Sequence, residues 1–354
     1  MMGILDFDKQ TIVKLIVTLF IGAIGGTIAH YIHLPLAWMI GPMIANICAS
    51  MAGIQVGISL KLRSFTLVIL GCFLGSTFEP EILDNILAWP FSLLSVLVFV
   101  VGATILSALY YHKVAKLDFV TSLFSATPGG LTPMTILGSS LGGKEQSISF
   151  LQGIRVVFLV CMTPFLVFEV LGYDNSGISQ QVIKEEIIWS EVGILLTAAI
   201  LGVLFAMKMK IPAAQMTGAM FVSAALFLSG EITTDLPSII LETTLWILGS
   251  AIGSRFSGFD LKLVKSHIVQ GGVNLFCLTA VTLMISAAVA HFFGLEYVAV
   301  LLAFAPGGVA EMCLIALALN IDPGFVAFHH LTRISLILLI TPIVAKRIQK
   351  QKST

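Results

Sequence analysis

Charge is what this chain of 354 residues has least of. Charged side chains make up 11% of it, against about 25% in soluble domains. Nineteen basic residues balance nineteen acidic ones to a formal net charge of zero. No basic tract is present, which removes nucleic acid as a partner. No Gly-x-x-x-x-Gly-Lys-Ser/Thr loop occurs and there is no room for a nucleotide domain, so an ATP-driven pump is disfavoured. Short segments of alternating polarity are missing too, which excludes a membrane β-barrel. Cysteine is scarce: Cys48, Cys72, Cys161, Cys277 and Cys313 are odd in number, and no pair has ligand-like spacing. They read as buried small hydrophobes rather than disulfides or metal ligands. His30, His33, His112, His267 and His291 are scattered near helix ends and form no cluster suited to copper or iron. No metal, cofactor or catalytic residue is expected, and the chain does not read as an enzyme.

What the chain has instead is apolar surface, 57% of its residues, with a mean hydropathy of +1.02. Apolar stretches long enough to cross hydrocarbon recur from Ile12 to Ile343. No small-residue cleavage site follows the first, so Ile12–Ile28 reads as a retained helix rather than a signal peptide. The sequence also repeats itself. LPLAWMIGPM at 34–43 answers IPAAQMTGAM at 211–220. After a single inserted position the offset stays constant: ILGCFLGSTF at 69–78 matches ILGSAIGSRF at 247–256, and TPGGLTPM at 127–134 matches APGGVAEM at 305–312. In that same register Arg155 aligns with Arg333, and Thr163–Pro164 with Thr341–Pro342. A fixed register of this kind marks a duplication.

The reading is therefore of a first membrane repeat over 12–169, an extracytoplasmic linker over 170–189, a second repeat over 190–347 and a cytoplasmic tail over 348–354. Each repeat holds six apolar segments: 12–30, 35–52, 65–78, 87–110, 119–142 and 148–170 in the first, and 190–207, 212–229, 239–256, 268–290, 297–319 and 325–345 in the second. Lys and Arg are retained on the cytoplasmic side. They sit in loops after segments two (Lys61, Arg63) and four (Lys113, Lys116) of the first repeat, but after segments one (Lys208, Lys210) and three (Lys262, Lys265) of the second. That reversal requires an odd number of crossings per repeat. Five crossings plus one re-entrant segment at each Pro-Gly-Gly satisfies it, with both termini in the cytoplasm. The fold class is an all-α polytopic membrane protein of two inverted-topology repeats, a design used for alternating access around a central site. Gly22-x-x-Gly25-Gly26, Gly71-x-x-x-Gly75 and Gly249-x-x-x-Gly253 read as close helix packing.

Pro128-Gly129-Gly130 and Pro306-Gly307-Gly308 should break the fifth segments, because proline removes a donor and glycine relaxes the chain. Half-helices of about 13 Å on either side put each break deep in the membrane. Amides exposed there can hold an ion or polar solute, a helix N-terminus favouring an anion. A tight helical turn is the structural alternative. Arg155 and Arg333, several residues into the sixth segments, are costly unless paired or wetted. Glu311, with Pro133 as its counterpart, could counter an arginine, bind a cation or carry a coupling proton. His329 and His330 face different directions, so one, taken as His330, joins Arg333. Asn320 is a further candidate to line the cavity.

The duplicated six-segment pattern, LPLAWMIGPM, and the paired SATPGGLTPM and AFAPGGVAEM resemble the AbrB family of bacterial membrane proteins over essentially the entire chain. Members are often labelled ammonia monooxygenases or regulators of gene expression. The closely named soluble DNA-binding regulator is a different kind of protein, and nothing here resembles its swapped-hairpin domain. The duplicated architecture is also similar to inverted-repeat cation–proton antiporters and bile-acid transporter-like proteins, which bears on function only by analogy of fold. The expected protein is a multi-pass component of the bacterial plasma membrane that moves a small solute, with an anion one option, coupled to an ion or proton gradient. A membrane-embedded ligand sensor acting through a partner is the alternative, and a membrane monooxygenase a third. The expected partners are the lipid bilayer and the solute or ion, with a homodimer left open.

Overall fold

The computed structural model describes residues 9–78, 89–172, 188–234, 236–319 and 321–353. Among these the regular structure is helical, with no strand. The first half supplies α1 (Lys9–Tyr31), α2 (Ala37–Met51), α3 (Leu60–Ser76), α4 (Trp89–Lys113), α5 (Phe119–Ala126), α6 (Leu131–Ser140) and α7 (Glu145–Phe165). The second supplies α8 (Trp189–Lys208), α9 (Ala214–Leu228), α10 (Ser238–Ser254), α11 (Leu261–Phe293), α12 (Tyr297–Phe304), α13 (Val309–Ala318) and α14 (Pro323–Ser353). Six of these (α1, α4, α7, α8, α11 and α14) are long and apolar enough to cross a membrane. The chain is a multi-pass membrane protein. Helices α2, α9 and α10, of 15–17 residues, reach only about 23–26 Å at 1.5 Å per residue.

Three boundaries differ from the sequence reading. Helix α3 begins at Leu60, so Lys61 and Arg63 lie in its first turn rather than in a loop. Helix α11 begins at Leu261 and takes in Lys262 and Lys265. Lys and Arg are good helix formers, and their long stems let the charge reach a polar phase while the backbone stays helical. Helix α14 runs on to Ser353, so residues 348–353 of the stretch set apart as a tail are helical. The cysteines differ as well. Only Cys72 and Cys313 are buried within the protein, whereas Cys48 and Cys277 are exposed. On a helix facing hydrocarbon, an apolar residue need not be covered by protein.

The chain divides into two compact units that cut across the halves. One comprises Met1–Ser76 with Ser179–Phe259, and the other Thr77–Ile178 with Asp260–Thr354. The first unit holds α1–α3 with α8–α10; the second holds α4–α7 with α11–α14.

In the first unit the repeat register reappears in the backbone. His33 and Leu36 take positive φ of 54° and 50°, as do their counterparts Lys210 and Ala213 at 55° and 52°. Positive φ is uncommon outside glycine, and its recurrence at matching positions gives α2 and α9 the same entry. The glycines then set the packing. A Cβ on Gly25 would collide with Gly41 O, and one on Gly202 with Gly218 O, so α1–α2 and α8–α9 touch backbone to backbone. Gly71 of α3 faces Met216 O of α9, while Gly249 of α10 faces Met39 O of α2. Gly75 meets Met220 O and Gly253 meets Met43 O in the same reciprocal way. Small residues permit this closeness where hydrocarbon gives helices no hydrophobic reason to associate.

Candidate functional site

The second unit contains both Pro-Gly-Gly sequences, and in both the helix stops. Helix α5 ends at Ala126 and α6 starts at Leu131; α12 ends at Phe304 and α13 starts at Val309. Neither motif is passed by a continuous helix. Thr127 and Ala305, each preceding a proline, are extended at φ −69°, ψ 122° and φ −53°, ψ 129°, because a following proline disfavours the helical region. Gly130 then takes φ 92°, ψ 138°, open to glycine alone. Its counterpart Gly308 is ordinary extended backbone at φ −80°, ψ 150°.

In the first half the chain folds back at the break. A Cβ on Gly138 would sit 3.0 Å from Phe124 Cβ, and one on Gly143 would sit 3.1 Å from Val120 Cγ1. A continuous helix would hold residues 124 and 138 about 21 Å apart. The open end is clasped by Thr121. Its Oγ1 accepts from Lys144 N at 2.8 Å and donates to Asp118 Oδ2 at 2.6 Å, while Asp118 Oδ1 caps α5 through Thr121 N at 2.8 Å.

The arginines brace the severed C-termini. Arg155 on α7 donates from Nη1 to Ala126 O (3.2 Å) and from Nη2 to Gln152 Oε1 (2.5 Å). Gln152 Nε2 in turn donates to Phe124 O and Thr127 O at 2.7 and 2.8 Å. In the second half Arg333 on α14 donates from Nη1 to Ala305 O (2.6 Å), and from Nη2 to Gly307 O (2.7 Å) and His330 Nδ1 (2.9 Å). His330 Nε2 meets Leu302 O at 2.9 Å. Since a guanidinium only donates, His330 Nδ1 accepts and its proton sits on Nε2: a neutral imidazole with its tautomer fixed. Gln152 and His330 are counterparts in the repeat register, as are their acceptors Phe124 and Leu302. The two staples are one device used twice.

Arg155 and Arg333 are 6% and 1% exposed, and no ion pair to either occurs among the described residues. Their charges rest on carbonyls at helix C-termini, the negative end of the dipole. Both Nε atoms lack a partner.

The helix N-termini are treated differently. Neither Gly130 nor Gly308 supplies a side-chain cap. At α6 the first turn is open, with Gly130, Thr132 and Pro133 exposed. At α13 the half-buried Glu311 folds its carboxylate back onto Gly308, where a Cβ would collide with Oε2. Glu311 therefore occupies its own helix N-terminus and does not counter an arginine.

Of the remaining expected residues, Pro128, Gly129, Pro306 and Gly307 are buried in the breaks. His330 joins Arg333, whereas His329 points elsewhere, to Phe325 O and Ser92 Oγ at 2.8 Å each. Asn320 lies outside the described residues. Gln152 was missed; applying the repeat register to His330 would have found it. Ser125 and Thr135, buried hydroxyls in α5 and α6 without a partner, carried no sequence signal. Among the described residues no three His, Cys, Asp or Glu side chains gather as metal ligands would.

A cavity lies beside each break. The first, of about 210 Å³, is lined by Thr104 of α4, Leu123 and Thr127, and Ile337, Thr341 and Val344 of α14, among others. The second, of about 10 Å³, is lined by Thr282, Leu301, Ala305, Leu159, Thr163 and Leu166 among others. Taken in that order, each is the repeat counterpart of a residue named for the first cavity.

A family model described as "Transition state regulatory protein AbrB" matches residues 38–349, most of the chain. The chain belongs to the AbrB family. It is 27% identical to "Putative regulator AbrB" of Escherichia coli (strain K12) over 256 residues, 71% of this chain and 72% of the relative. It is also 27% identical to "Uncharacterized protein YhjN" of Bacillus subtilis (strain 168) over 291 residues, 75% and 74% of the two. Both alignments take in most of this chain, so the likeness to AbrB-family proteins extends well beyond the Pro-Gly-Gly motifs.

Proposed function

We propose that this AbrB-family protein is a secondary transporter of a small anion, coupled to an ion or proton gradient, and performs no catalytic step. The observation that carries the reading is the pair of repeat-related helix breaks, each held by a buried arginine with no acidic partner among the described residues. Positive charge and uncapped amides at membrane depth favour an anion. Backbone left unpaired there is tolerated where it lines a polar path. The two repeats are inverted in this reading, supported by the reversed phase of the basic residues and by the reciprocal contacts of α3 with α9 and α10 with α2.

The test is flux of small carboxylates and inorganic anions into vesicles containing the purified protein, with and without a proton or sodium gradient. Gradient-driven uptake is expected. A ligand that binds but never crosses would replace the proposal with a second reading, a membrane-embedded sensor. That reading draws support from the word "regulator" in the name of the Escherichia coli relative.

A further inference from the structure

The larger of the two cavities differs from the staples beside it in presenting almost no polar surface. Two of the three hydroxyls that line it are turned back onto backbone, and the third, Thr104 Oγ1, is buried without a partner. Thr127 Oγ1 donates to Leu123 O at 2.8 Å and Thr341 Oγ1 to Ile337 O at 2.5 Å. Its rim includes Val101 and Ile105 of α4 and Ile340 of α14, which are 44%, 53% and 40% exposed. Both helices are long enough to cross a membrane, so the mouth of the cavity continues the apolar surface that such helices turn to hydrocarbon. Its volume of about 210 Å³ exceeds the roughly 150 Å³ of an engineered apolar cavity that takes up benzene. A polar solute would lose its hydration here and find a single free hydroxyl, that of Thr104, in return.

From this we infer that the cavity is a binding site for the end of a lipid acyl chain. The chain enters sideways between α4 and α14 and reaches the end of α5 at Thr127, against the first break. The inference stands apart from transport, since it needs only the cavity and the bilayer. The repeat-related cavity, about 10 Å³, has no room for such a chain and serves as an internal control.

The experiment uses the full chain in vesicles of phosphatidylcholine carrying a photoactivatable diazirine at the acyl-chain end, with adducts located by mass spectrometry. Adducts are expected on Leu123–Thr127 and not on Leu301–Ala305. Val101→Trp and Ile340→Trp, both at the exposed rim, should each reduce the first set several-fold. Labelling of the outer face of α1, at Ile16 and Phe20, should stay unchanged and report intact insertion. The inference is overturned by absence of adducts on 123–127, by equal labelling of 301–305, or by full labelling of 123–127 in both rim variants.

Discussion

Replacing Arg333 by methionine separates the hydrogen bonds of the second staple from its bulk. The variant leaves Ala305 O and Gly307 O without their donors and frees His330 Nδ1. An unsatisfied buried group costs about 1–3 kcal/mol, so two carbonyls put the loss at about 2–6 kcal/mol. Relief from burying an unpaired charge reduces it, placing the expected value in the lower half of that range. Arg333→Lys should recover little, because one ammonium cannot span two carbonyls as a planar fork does. His330→Gln makes the sharper comparison. Gln152 already performs this role in the first half, accepting from an arginine and donating to the α5 carbonyls, so the swap should cost less than about 1 kcal/mol. The assay is thermal unfolding in detergent, followed by thiol-reactive dye at the buried Cys72 and Cys313 after Cys48 and Cys277 have been blocked. The reasoning fails if Arg333→Met unfolds at the wild-type midpoint, or if His330→Gln costs as much as Arg333→Met.

Gly249→Ala and Gly71→Ala direct a Cβ onto backbone carbonyls and should lower the same midpoint. Gly102→Ala, in α4 with nothing within 4 Å of the new atom, should raise stability by about 0.5–1 kcal/mol. Glu311→Gln removes the charge lying over the N-terminus of α13 and should alter flux while shifting stability by less than about 0.5 kcal/mol; unchanged flux would remove Glu311 from the site. Pro133→Glu gives α6 the carboxylate that α13 already has; anion binding measured by calorimetry should fall, and undiminished binding would place the anion elsewhere. Topology reporters fused to either terminus should both read cytoplasmic, and opposite readings would refute two repeats of five crossings.

Much of the second unit was legible because the signals are local. Proline cannot continue a helix and the residue before it is driven extended, so the break positions follow from Thr127-Pro128 and Ala305-Pro306 alone. The glycine contacts were legible through their spacing, since small residues three or four apart share a helix face. The task of the arginines was not. Sequence reasoning expected them to need a carboxylate or a watery cavity, but a helix broken inside the protein offers its own carbonyls as acceptors. Which carbonyls an arginine on a distant helix will reach depends on tertiary packing. The compact units were hidden for the same reason: duplication divides the chain by ancestry, whereas packing here joins three helices of one half to three of the other. Lys61, Arg63, Lys262 and Lys265 misled about helix ends because hydropathy registers their charge and overlooks their helical propensity.

The two breaks share a staple yet differ in backbone, in charge at the helix N-terminus and in the cavity beside them. Gly130 has a conformation only glycine adopts freely, and Gly308 does not. Pro133 leaves the N-terminus of α6 without an acidic residue, whereas Glu311 fills that of α13. The cavity beside the first break is about 210 Å³ and that beside the second about 10 Å³. A duplication kept only for stability has no need of such differences, because the braces at Gln152–Arg155 and His330–Arg333 already do equal work. The differences fall at the helix N-termini and in the cavity volumes. That division, with the holding parts kept alike and the contacting parts made unlike, is what one asymmetric ligand requires of a twofold-repeated chain. Under the proposed transport function, the anion would be held by the open amides of α6, with Glu311 lying over the N-terminus of α13.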